Sequence, residues 1–501
     1  MPHTRLQQLG LGLKLAFLSA LSGLGWSAEL SETQPQPPVI PEGYDMTIAR
    51  ETTQTSHRET QVAAKLSAFL QAHYETGLFA GSVMVHRNGQ LAIAAGYGLA
   101  DRERGIPNTP DTKFRLASIT KQFTAVAVLQ LQERGDLDLE APISTYLPDY
   151  PQGDRITTHH LLSHTAGIPN MTDAPDFVEW AQQQRSLPEL MARFQDLPLE
   201  FNPGERYSYS NSGYVLLTQL IETISGVSYA DYMRDRIFQP LSMNHSGYGP
   251  VDRVVSNFAT GYQLVDTKGS ERAEDINMSV PQGAGGLYST AKDMAIWVQF
   301  LFGRERDDAQ NAVLSAKEIA AMQAQIAPVA PDKAPNLFYG YGLMTNIENG
   351  RRYVGHSGGI PGFVTELIHY PDLELTVVVL ANLETSVVPA ITDGLEAIST
   401  GEDYEPPRNP EIVEINPAIY DRYVGTYQLL PEMKLEIRIE DNRLVGQATG
   451  QPSFGLAPLS DTEFFARVAA AFVSFELSPD GLARQLTLKQ NGQALVAPRI
   501  Q

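Results

Sequence analysis

The hydrophobic pattern changes period repeatedly along the 501 residues, and the order of those changes limits the folds open to the chain. Val62, Leu66, Phe69 and Leu70 recur at helical spacing, so the first structured element reads as an amphipathic helix. Ser82 to His86 then alternates, Asn88-Gly89 supplies a tight turn, and Leu91 to Ala95 returns as a hairpin. Ser118 to Arg134 is a largely apolar helix closed by Gly135, and helical segments dominate to about Phe302. Strand character resumes at Phe338 to Met344 and Arg351 to Val354. It continues at Phe363 to Tyr370 and Leu373 to Leu380, with Pro371-Asp372 as a turn. Strands early, helices in the middle and strands late predict one discontinuous α+β domain: an antiparallel sheet flanked by helices, carrying a helical subdomain.

After the Pro-rich, acidic stretch Glu402 to Pro410 the pattern becomes all-β. Lys434 to Glu440 alternates, Asp441-Asn442 turns the chain, and Asp480-Gly481 precedes another alternating run, Gln485 to Lys489. A small barrel or sandwich is expected there. The predicted organisation is a signal peptide over 1–28, a linker over 29–56, the α+β domain over 57–400, a linker over 401–415 and the β-barrel over 416–501. The leader is read from Arg5 and Lys14, the apolar run Leu15 to Trp26 and the small residues Ser27-Ala28; the Pro-rich Gln34 to Pro41 follows. Export to the periplasm or medium is expected, with no membrane span left after cleavage.

Composition excludes several functions. A net charge of −21 repels nucleic acid. The absence of cysteine removes disulfides, thiolate catalysis and Cys-ligated zinc. His160 and His164 share the i, i+4 spacing of a helical metal pair but lack the Glu and third ligand such a site needs; a structural His164 bonding nearby backbone is the simpler reading. Gly283-x-Gly285-Gly286 lacks the Gly-Lys-Ser/Thr of a phosphate loop. No metal or cofactor is expected, and the partner is a small-molecule or peptide substrate.

Chemistry concentrates in three segments. In Phe114-Arg115-Leu116-Ala117-Ser118-Ile119-Thr120-Lys121, Ser118 and Lys121 are i and i+3 at a helix start, so they share a face. The N-terminal N–H groups favour a developing oxyanion, and a buried lysine can lose its proton, or can stay charged and make a nearby tyrosine more acidic. Tyr207-Ser208-Tyr209-Ser210-Asn211 offers a phenol for proton transfer and an amide to orient Lys121 or substrate. Gly355-His356-Ser357-Gly358-Gly359 lies between two strand-like runs. It also satisfies G-x-S-x-G, the nucleophile elbow of α/β-hydrolases. That context needs a helix directly after the serine, and here Pro361, Gly362 and a strand follow.

These segments, in this order, resemble serine β-lactamases and penicillin-binding proteins, specifically the class C-type branch of D-alanyl-D-alanine carboxypeptidases, D-aminopeptidases and family VIII-like esterases. Leu161 to Ile168, Gly285 to Thr290 and Gly358 to Phe363 match that branch as well. The resemblance covers roughly residues 60 to 395. It implies an acyl-enzyme on Ser118, with Lys121 and Tyr209 sharing acid/base work and Asn211 orienting Lys121 and substrate. The N–H groups of Ser118 and Gly359 would form the oxyanion hole. His356 and Gly358 occupy the K-T-G element, and histidine, only partly charged near neutral pH, replaces a fixed positive charge there. Esters and amides thereby gain over β-lactams and free carboxylates. The resemblance extends to a lipocalin-like C-terminal appendage. The alternative reading is a non-catalytic peptidoglycan-binding or sensor protein on the same fold.

Overall fold

The computed structural model describes residues 57–249, 255–265, 269–304, 307–348, 350–451, 453–490 and 493–501. The predicted leader and first linker lie outside these residues.

Helix α1 (His57–Glu75) leads into strands β1 (Gly81–Arg87) and β2 (Gln90–Tyr97). Helices α2 (Thr120–Glu133), α3 (Asn211–Ser225) and α4 (Ala291–Phe302) follow. The chain then returns through β3 (Ala327–Ala330), β4 (Ala334–Tyr339), β5 (Met344–Glu348), β6 (Arg351–Ile360), β7 (Phe363–Tyr370) and β8 (Leu375–Ala381) before helix α5 (Val388–Thr400). The strands form one antiparallel sheet in the order β3-β4-β5-β6-β7-β8-β1-β2. The N-terminal hairpin joins the late strands because β1 pairs directly with β8, Val83 opposite Val379.

Alternation divides the core. Val83, Val85, Val377 and Val379 face α1 and α5, meeting Leu66, Phe69, Leu70, Ile391 and Leu395. Met84, Val378, Leu380 and Leu367 face the helical subdomain, including Phe123 and Trp297, whose rings stack at 3.7 Å. Strand β8 is buried along its whole length, so it reads as a continuous apolar run.

Residues 425–498 form eight sequential antiparallel strands. The first and last strands approach closure, with Thr426 N–H donating to Gln501 O (3.0 Å) and Ile500 N–H to Thr426 O (2.8 Å). Tyr423, Tyr427, Phe464 and Phe475 fill its interior. The barrel is bonded to the α+β unit. Phe465 belongs to the apolar cluster of α1, α5 and the sheet, and Ser386 Oγ donates to Ala469 O (2.7 Å). Arg467 donates to Gly77 O at 3.1 Å and to Gly269 O at 3.5 Å.

Three local expectations need correction. Phe338 to Met344 is not one strand; the chain turns between Tyr339 and Met344, where Gly342 has φ +69° and its Cα side lies against Lys121 O. A side chain there would meet that carbonyl at 2.5 Å, so the loop presses on the nucleophile helix. Gly355 to Gly359 lies inside β6 rather than between strands, because its partners on β7 continue through Ile360 opposite Phe363. Ser118 precedes α2 in a 3₁₀ turn, Ala117–Ile119, rather than starting the α-helix itself. Among the described residues no helix is long and apolar enough to cross a membrane.

Candidate active site

The nucleophile turn is built by an unusual backbone. Strand Phe114–Arg115 ends, Ala117 takes φ +47°, and the chain drops into α2. A left-handed alanine costs on the order of 1–3 kcal/mol, and neighbouring contacts must hold it. Thr365 Oγ1 on β7 donates to Leu116 O at 2.9 Å, and Thr120 Oγ1 accepts from Leu287 N–H at 3.1 Å. Gly358 has no side chain to interfere: a Cβ there would lie 2.4 Å from Thr365 Oγ1, 2.5 Å from Leu116 O and 3.0 Å from Ala117 Cβ. Strand β6 therefore lies directly on the turn that carries Ser118. Gly359, next along it, is solvent-exposed, and Ser118 is half-buried.

Ser118 Oγ has two polar neighbours. Lys121 Nζ lies 3.1 Å away, and Tyr209 Oη donates to it at 2.9 Å. Lys121 is fully buried and also reaches Asn211 Oδ1 (2.9 Å) and Ala284 O (2.8 Å). Among the described residues no carboxylate bonds to it, and burial holds its amine well below the usual lysine value. Burial likewise raises the Tyr209 phenol, only partly offset by its bond to Ser118. Burial thus disfavours the charged form of both groups. A neutral amine has two N–H donors for Asn211 and Ala284 and a lone pair left for Ser118 O–H.

Asn211, at the start of α3, is held in turn. Its N–H donates to Asn170 Oδ1 (3.0 Å), and its side-chain amide lies 3.4 Å from both Asn170 Oδ1 and Thr172 Oγ1. Ala284 is held by a loop in which Thr124 Oγ1 donates to Gly283 O (2.7 Å) and Gly283 N–H donates to Thr218 Oγ1 (2.9 Å).

His356 departs from the expectation of partial charge. It is buried, and Nδ1 lies 2.5 Å from Ser357 O, which places the proton on Nδ1. Nε2 then accepts from Tyr339 O–H at 3.0 Å. Burial first, then the nearby Lys121, hold its pKa down at about 3, so the ring is neutral throughout the physiological range.

All the predicted residues except the glycines meet through side chains: Ser118, Lys121, Tyr209 and Asn211 form one bonded group, and His356 faces Tyr209 at a ring separation of 6.3 Å. Ser357 lies in the middle of β6 opposite Glu366 with no helix after it, which removes the nucleophile-elbow geometry. His160 and His164 do not converge. His160 Nδ1 accepts from Thr157 N–H as a helix cap, and His164 Nδ1 accepts from Ser210 N–H. Asn170, Tyr339, Thr365 and the Ala284 carbonyl were not singled out in the sequence. Asn170 lies two residues beyond the matched Leu161 to Ile168 run, Ala284 directly before Gly285 to Thr290, and Thr365 two residues beyond Phe363.

Residues 62–401 match the β-lactamase family. The chain belongs to that family. Residues 409–497 match a family described only as a domain of unknown function. Penicillin-binding protein 4* of Bacillus subtilis is 32% identical over 453 residues, covering 84% of this chain and 95% of that protein. The octameric penicillin-binding protein homologue from Pyrococcus abyssi superposes with a TM-score of 0.59 at 27% identity, covering 86% of this chain and 99% of that one. D-amino acid amidase from Ochrobactrum anthropi SV3, complexed with L-phenylalanine amide, gives 0.60 at 25% identity over 68% of this chain and 99% of its own. Family membership identifies the chain as a serine hydrolase.

Proposed function

We propose that the protein hydrolyses a carboxylic ester or amide through an acyl-enzyme on Ser118. The supporting observation is the convergence of Lys121 Nζ and Tyr209 Oη on Ser118 Oγ, with Lys121 buried and unpaired by any carboxylate. The Lys121 lone pair takes the Ser118 proton as Oγ forms its bond to the substrate carbonyl, whose π electrons move to oxygen. The N–H groups of Ser118 and Gly359 receive that oxyanion. Collapse breaks the bond to the leaving nitrogen or oxygen, which takes the proton from Lys121 through Tyr209. Water then attacks the acyl carbonyl, passes a proton along the same pair, and Ser118 leaves with its hydrogen restored. Asn211 fixes Lys121 and supplies an amide N–H₂ for the substrate.

His356, neutral and engaged by Tyr339, supplies no positive charge for a substrate carboxylate. The candidate substrates are therefore D-amino-acid amides or peptides and simple esters before β-lactams. The amidase likeness supports the amide class, and the penicillin-binding relatives support reaction with penicillin. The leader read over residues 1–28 supports export. A panel of p-nitrophenyl esters, D-amino-acid amides and nitrocefin, run on wild type and Ser118→Ala, tests this reading. Turnover of at least one ester or amide that disappears in the variant is expected. Equal turnover in both proteins would remove Ser118 from the mechanism.

A further inference from the structure

Tyr209 must place its phenol on Ser118 while Asn211, two residues on, places its amide on Lys121. Residues 206–210 belong to no helix or strand and α3 begins only at Asn211, so this segment needs an external anchor. The anchor is a single residue outside all three motifs. His164 O accepts from Ser208 N–H at 2.9 Å, and His164 Nδ1 accepts from Ser210 N–H at 3.2 Å. The two bonds fall on either side of Tyr209. The ring also packs on the Tyr209 ring, with centroids 4.3 Å apart.

The backbone of His164 is shaped for this double grip. Its φ is +57°, in the left-handed region, and the residue is buried. In that conformation its carbonyl and its ring both meet residues 208–210. Because Nδ1 accepts, the ring proton sits on Nε2, which has no hydrogen-bond partner among the described residues and is surrounded by the rings of Tyr207, Tyr214 and Tyr339. An orphaned buried N–H costs on the order of 1–3 kcal/mol, which a purely structural aromatic such as phenylalanine would avoid.

We propose that His164 is a positioning residue for acylation: its neutral ring clamps the Ser210 amide and so sets the Tyr209 phenol and the Asn211 amide on Ser118 and Lys121 at the same time. The proposal rests on the acyl-enzyme reading above. A cationic ring would bury a charge among aromatic rings, and burial, then Lys121 and His356, hold His164 well below the ordinary histidine value.

Two full-length variants separate positioning from packing. His164→Phe keeps a ring and removes the acceptor. His164→Asn keeps an acceptor at nearly the same place and tolerates a left-handed backbone. The readouts are the rate of Ser118 acylation by a p-nitrophenyl ester in the folded fraction, the steady-state KM for that ester, and hydrogen exchange of the 208–211 segment. His164→Phe should acylate about 100-fold more slowly, the cost of an ångström-scale misplacement. Its KM should hardly change, and protection of Ser210 N–H should be lost. His164→Asn should stay within about ten-fold of wild type and keep that protection. Wild-type rates in folded His164→Phe, or an Asn variant as slow as the Phe variant, would overturn the clamp. Should both variants fail to fold, ¹⁵N spectra of histidine-labelled wild type decide: a persistent Nε2–H tautomer for His164 supports the clamp, and an Nδ1–H tautomer defeats it. A wild type that forms no adduct at Ser118 would instead defeat the functional reading, and exchange and tautomer would still report on the clamp without turnover.

Discussion

Replacing Gly358 with alanine should uncouple folding from catalysis, and the size of the effect follows from three distances. The new methyl would sit 2.4 Å from Thr365 Oγ1, 2.5 Å from Leu116 O and 3.0 Å from Ala117 Cβ. Ordinary contact begins near 3.4 Å, so strand β6 must retreat by roughly 1 Å or the turn must move. Thr365 can rotate away only by giving up its 2.9 Å bond to Leu116 O. Leu116 and Ala117 are backbone-constrained, since Ala117 already holds φ +47°. Overpacking of this kind costs about 1–3 kcal/mol of stability. The retreat carries Gly359 N–H away from Ser118, and loss of one oxyanion donor lowers kcat by about 10²–10³. The assay is kcat for an activated ester per titrated active site, beside the melting temperature. Gly213→Ala is the control: it sits in the first turn of α3, its Cβ would meet nothing closer than 3.6 Å, and it should gain up to about 1 kcal/mol from helix propensity with unchanged kcat. A folded Gly358→Ala protein with kcat within about three-fold of wild type would refute the placement of β6 against the nucleophile turn.

Lys121→Met should lower kcat by several orders of magnitude while the protein stays folded, since a buried amine without a carboxylate partner is replaced by an apolar chain of similar length; a chemical-denaturation curve and single-turnover kinetics check both halves. Because Lys121 acts as the neutral amine and its pKa is lowered by burial, activity should rise with pH through a single acid limb and stay high to alkaline pH; pH–rate profiles of kcat/KM test this. Stability should fall as pH drops from about 6.5 towards 4. His73 and His369 are held at about 4 and His356 at about 3, so the unfolded chain binds protons that the folded chain refuses, at up to about 1.4 kcal/mol per pH unit for each; melting temperatures against pH, with His356→Gln reducing the slope, check the sign. Phe465→Ala in the barrel should destabilise the α+β unit by about 3–5 kcal/mol, because Phe465 is buried in the cluster of α1, α5 and the sheet; loss of the α+β melting transition before the barrel's own is the readout.

Much of the fold was legible because the two periods are strong where burial is one-sided. The Asn88-Gly89 hairpin and the Asp441-Asn442 turn, where residues 441 and 442 both take positive φ, follow directly from turn chemistry. The break at Gly340 to Leu343 was not legible. Apolar and aromatic residues there imitate a strand, and only the tertiary approach of Gly342 to Lys121 O bends the chain. Of the site, Ser118, Lys121, Tyr209 and Asn211 carry motif spacing and were found. The charge state of His356 was not, because it depends on Tyr339, seventeen residues away across two strands, and on the depth of burial. Asn170 and the Ala284 carbonyl were missed for a related reason: one acts through a side-chain amide on another residue's backbone, and the other is a main-chain group that no residue type announces.

The most direct test of the central claim is intact-mass and peptide mapping after reaction with a fluorophosphonate or a labelled penicillin. The account predicts one adduct, on Ser118, that is abolished in Ser118→Ala and retained in Ser357→Ala. Labelling that survives in Ser118→Ala and vanishes in Ser357→Ala would contradict it.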